Sequence, residues 1–139
     1  MDVLSKRVQS LYVWTLAVCT VHVVDSAYWH EWEILGLPGG IQLFLVQSLI
    51  LAIPFMFGVA RLAKGAPSGP VYGIVLAAMG IIGFGIHAIL LLRGGSEFRN
   101  AASLSTIGFM LVFSAGLMWG SIQLKRASKP LKADVRPLQ

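Results

Sequence analysis

Four long apolar runs divide this chain, at roughly 8–29, 41–60, 71–92 and 103–123. Each is close to the ~20 residues that carry a helix across a bilayer core. Residues 36–40, 61–70 and 93–100 concentrate the Gly, Pro and charge that end helices and turn the chain. The pattern predicts an all-α polytopic membrane protein. Short connections favour antiparallel neighbours, so the expected architecture is an up-down four-helix transmembrane bundle.

Composition supports lipid as part of the solvent. The chain has 139 residues, 56% hydrophobic and 12% charged, with mean hydropathy +0.75. Soluble domains carry about 25% charged residues. Cys19 is alone, which rules out an intrachain disulfide framework. The net charge of +5 does not point to nucleic acid, because the basic residues flank apolar runs.

Those basic residues set an expected orientation. With the N-terminus inside, Lys6, Arg7, Arg61, Lys64, Lys125, Arg126, Lys129, Lys132 and Arg136 lie inside, and only Arg93 and Arg99 lie outside. Positive residues favour the cytoplasmic side, so both termini are expected there. Lys6 and Arg7 before an apolar run also resemble a signal peptide. Cleavage after Ala27 would set Asp25 where a small residue is wanted, so the segment is expected to stay as a helix. Residues 125–139 form a basic tail without apolar period, expected to be disordered and to meet anionic headgroups. The halves share no motif that would mark an inverted-repeat carrier.

Two features shape the helices. Pro54 interrupts the second span, where its missing N–H predicts a kink. Gly116 and Gly120 form a GxxxG in the fourth, which serves either packing within the bundle or a homo-oligomer.

Candidate chemistry concentrates at one depth. His22 lies about six residues before the outer end of the first span, about 9 Å at 1.5 Å per residue. Gln47, His87, Ser105 and Thr106 reach similar depths on the other three, whereas the inner halves are much more apolar. On the first helix Thr15, Cys19, His22, Ser26, Trp29 and Glu33 share a stripe, provided the helix continues to Leu35. Asp25, three residues beyond His22, can hydrogen-bond its imidazole. Gly80, Gly83 and His87 share a face of the third, leaving room for a close helix or a flat ligand. Ionisable groups at membrane depth normally face the bundle interior.

Three readings fit the cluster. One is a hydrogen-bonded network that fixes helix register. Another is a cofactor or metal site. His22 and His87 could be the axial ligands of a haem b, or His22, Asp25, His87, His30 and Glu33 could supply ligands for zinc, copper or iron. The third is a proton or substrate path through the same groups. Tyr28, Trp29 and Trp32 resemble an interfacial aromatic belt. His30-Glu31 lacks the second histidine of the HExxH protease motif, and no nucleophile elbow, phosphate loop or dinucleotide fingerprint occurs.

At Tyr28-Trp-His-Glu-Trp-Glu33 and Leu37-Pro-Gly-Gly-Ile-Gln42 the chain resembles a family of small bacterial membrane proteins of unknown function. The resemblance implies a four-helix protein of the bacterial inner membrane and carries over no functional residue. Its size is also similar to anchor or accessory subunits of respiratory and photosynthetic complexes, without a diagnostic motif.

The expectation is therefore a small integral membrane protein, non-enzymatic or an accessory subunit. Its outer-leaflet His/Asp site would bind a metal ion or haem, with Gln47 and Ser26 in support. Its partners would be the bilayer, a second copy or a larger membrane complex. The alternatives are a proton-coupled or small-solute carrier acting as an oligomer, and a membrane-embedded metalloenzyme.

Overall fold

The computed structural model describes residues 3–94 and 98–128. All its regular structure is helical: α1 (Val3–Tyr28), α2 (Glu31–Ile34), α3 (Gly40–Ala63), α4 (Gly69–Leu92) and α5 (Ala101–Ala127). The four long helices are each long and apolar enough to cross a membrane. They expose much of that apolar surface. Leu45, Leu49, Ile53 and Phe57 of α3 all face outward, which fits a protein embedded in lipid.

Local chemistry explains the breaks. α1 ends as Trp29 N–H bonds Asp25 O at 3.1 Å and His30 turns left-handed at φ 53°. Histidine is among the few side chains enriched there. The single turn of α2 follows at once, a helix that apolar periodicity did not anticipate. Gly39, at φ 90°, precedes α3, and Gly65, at φ 63°, follows it. The Ala66 N–H then returns to Arg61 O at 2.9 Å, a left-handed helix ending. Pro70 sits in the first turn of α4, where a missing N–H costs nothing. Asn100 caps α5 by accepting from Ser103 N–H at 2.9 Å. Lys125 and Arg126 are in the last turn of α5, whereas the rest of the expected tail, 129–139, lies outside the described residues.

The packing is uneven. α5 packs extensively on α4 and α1, while α3 touches α1 and α4 more sparingly. Small residues allow the tight contacts. Gly73 faces Ser121 and Gly80 faces Ser114, two pairs one heptad apart whose numbers run in opposite senses along α4 and α5. Gly73 and Gly80 thus serve a close helix. The Gly116 and Gly120 face lies against Leu11 and Val8 of α1, so this GxxxG is used inside the bundle. Next to Pro54, Phe55 O accepts from the buried Tyr12 hydroxyl at 2.9 Å, tying α3 to α1. Val8, Tyr12, Phe55, Leu62, Leu76, Ala77 and Leu117 form the apolar core. Glu31, His87 and Ser103 are buried toward the other end, beside α2.

The α4–α5 seam yields a test. A Cβ at Gly80 would collide with the Ser114 hydroxyl and lie 3.1 Å from its Cβ. Gly80→Ala is expected to lower stability by about 1–3 kcal/mol, the usual cost of overpacking. Thermal unfolding in detergent reads the loss, and adding Ser114→Gly should recover most of it.

Candidate metal centre

Three side chains converge at the end of the bundle that carries α2. His22 comes from α1, Glu31 from α2 and His87 from α4. One potential ligand atom from each lies within 4.8 Å of the others. His87 is 1% exposed and Glu31 7%. Glu31 Oε1 stands 3.6 Å from His87 Nε2, too far for a direct hydrogen bond. Ligands of a four-coordinate ion stand about 3.4 Å apart, given bonds near 2.0–2.2 Å. The Glu31–His87 edge already has close to that length.

The partners of the imidazoles are informative. His87 Nδ1 lies 2.9 Å from Gly83 O, and a carbonyl can only accept. Nδ1 therefore carries a proton, and Nε2 makes no hydrogen bond among the described residues. On His22, Nε2 lies 3.5 Å from Ser26 Oγ. The other nitrogens, His22 Nδ1 and His87 Nε2, are buried without a hydrogen-bond partner among the described residues. Each ring thus has one nitrogen oriented by the protein and one orphaned, the pattern of metal-ligating histidines with their outer partners. Glu31 adds a buried carboxylate. The only ion-pair contact found for it among the described residues is His87. A largely buried carboxylate favours a cation beside it.

A second polar cluster lies beside the first. Ser103, fully buried on α5, donates through Oγ to Asp25 Oδ1 at 2.9 Å. The same Oγ accepts from Asn100 Nδ2 at 2.7 Å and Trp29 Nε1 at 3.3 Å. This clamp fastens the end of α1 to the start of α5.

The residues singled out from the sequence fall into two groups. His22 and His87 come together, their ring centroids 4.6 Å apart. Ser26 Oγ lies 3.5 Å from His22 Nε2. Asp25 does not pair with His22: the structure pairs it with Ser103, across the helix interface. His30 and Glu33 are exposed and stand outside the cluster. The physical reason is the left-handed His30, which ends the stripe before Glu33 and swings Glu31 inward. Glu31 was missed because a continuous helix would have pointed it elsewhere. The buried Trp32 beside it, packed 5.5 Å from Phe44, was a signal read only as interfacial belt. Gln47 is exposed on α3, not turned toward the histidines, and Ser105 is exposed too.

The bis-histidine haem expectation does not fit this arrangement. The His22 and His87 rings meet edge to face at 82°, and Phe98 lies 4.6 Å from His87. A porphyrin would have to separate rings that are in contact. A single ion needs no such space.

The model of the family of unknown function DUF6713 matches residues 8–124. No curated protein and no solved structure matches the chain.

Proposed function

The chain belongs to the DUF6713 family, a family of unknown function, and on the geometry of its own residues we propose that it is a small multi-pass membrane protein holding one transition-metal ion on His22, Glu31 and His87. The observation that carries this reading is the pair of orphaned ring nitrogens beside a buried carboxylate. A set of two imidazoles and one carboxylate suits zinc, iron or copper and leaves coordination positions free. The protein lies as an up-down bundle in the bacterial inner membrane, and the placement of its basic residues favours cytoplasmic termini, which puts the ion near the outer surface. No catalytic step is part of this reading. The Asp25 clamp is structural support for the site.

Elemental analysis of detergent-purified protein, with an absorption spectrum of the same sample, tests the proposal. The expected result is one metal ion per chain, lost in His22→Ala, with no Soret band. A folded protein that neither contains nor takes up metal would overturn it, and a Soret band would restore haem.

A further inference from the structure

A crevice of about 180 Å³ opens between α1, α3 and α4, where the packing is loosest. Leu16, Leu51, Phe55, Leu76, Met79 and Met110 make its wall apolar. Leu51 and Met79 are exposed, so the crevice can be reached sideways from the lipid. Thr20 and Ser48 also line it, but each hydroxyl donates to a carbonyl one turn back, of Leu16 and Phe44. Their polarity is absorbed within their own helices.

His22 differs. It lines the crevice and belongs to the ligand group. Gly83 also lines the crevice, and its carbonyl orients His87. The crevice therefore meets the metal centre at one ligand, His22, and passes beside the residue that orients another. Three protein ligands leave a tetrahedral ion with a fourth position, the arrangement of sites that take an external oxygen donor.

Resting on the metal reading above, we infer that this open position is served from the crevice by a membrane-dissolved, single-ring phenol or quinol, its ring in the crevice and its oxygen on the ion. Size and chemistry both select this class. An apolar cavity of about 150 Å³ holds a benzene ring, so about 180 Å³ suits a ring with a small substituent. A phospholipid acyl chain would fill the crevice without bringing a donor to the ion. A strongly hydrated ligand would gain nothing from these walls.

The test uses the full chain in phosphatidylcholine nanodiscs, loaded with Co²⁺ and titrated with 4-propylphenol. Propylbenzene, which lacks the oxygen, is the control. Saturable movement of the cobalt d–d bands with propylphenol, and none with propylbenzene, is expected. Ala52→Phe fills the crevice from α3 and should weaken the response at least tenfold at unchanged cobalt stoichiometry, which also reports that the variant is folded. Ala52→Leu should give an intermediate loss. Cobalt that binds with bands unmoved by propylphenol, moved equally by propylbenzene, or moved equally in Ala52→Phe overturns this inference alone. Failure to bind cobalt overturns the metal reading itself.

Discussion

Glu31→Gln is expected to abolish stoichiometric metal binding, whereas Glu33→Gln leaves it intact. The contrast follows from one backbone angle. His30 at φ 53° turns the chain so that Glu31 is 7% exposed beside His87 while Glu33 faces outward. An amide is a far poorer ligand than a carboxylate and brings no charge to the ion. Outer partners of metal ligands already change affinity by about 10–100-fold. Loss of one of three ligands should exceed that, on the order of 3 kcal/mol or more. Metal competition with a chromophoric chelator gives the affinities. Equal sensitivity of Glu31 and Glu33 would contradict the inward turn of α2.

Ser103→Ala is expected to be among the most destabilising single changes in the chain, at about 3 kcal/mol or more. Its hydroxyl serves three groups, donating to Asp25 Oδ1 and accepting from Asn100 and Trp29. Removing it leaves a carboxylate oxygen without its donor, beside an Oδ2 that has no partner among the described residues. Each unsatisfied buried polar group costs about 1–3 kcal/mol, and charged ones more. Asp25→Asn should cost less, since an amide oxygen still accepts from Ser103. Thermal unfolding separates the two. Below the unfolding temperature Ser103→Ala should still bind one metal per chain, because Ser103 touches none of the three ligands. Loss of metal from folded Ser103→Ala would make the clamp part of the site.

What was legible follows from these cases. The four long apolar helices are written in run length and in the Gly/Pro punctuation between runs. The shared depth of His22 and His87 could be read by counting residues along helices of fixed rise. Facing could not always be read. α3 is apolar on nearly every side, so no polar stripe fixes its rotation, and Gln47 had the expected depth but the opposite face. The site's third member depended on a left-handed residue that leaves no mark in hydropathy. His30 ends α1 inside a stretch whose polar spacing is equally compatible with continued helix, and Glu31 rather than Glu33 joins the histidines. Asp25 illustrates a related limit. Its three-residue spacing from His22 suggests a local pair, but its hydrogen bond comes from Ser103, 78 residues away.

The most direct test of the metal centre is K-edge X-ray absorption on the zinc-loaded protein. A centre on His22, Glu31 and His87 gives a first shell of nitrogen and oxygen only, at about 2.0–2.2 Å, with the outer-shell scattering of two imidazoles. A sulfur scatterer near 2.3 Å would place the ion at Cys19 instead. A shell of oxygens without imidazole would put it outside the cluster altogether. Either result would contradict a centre built on His22, Glu31 and His87.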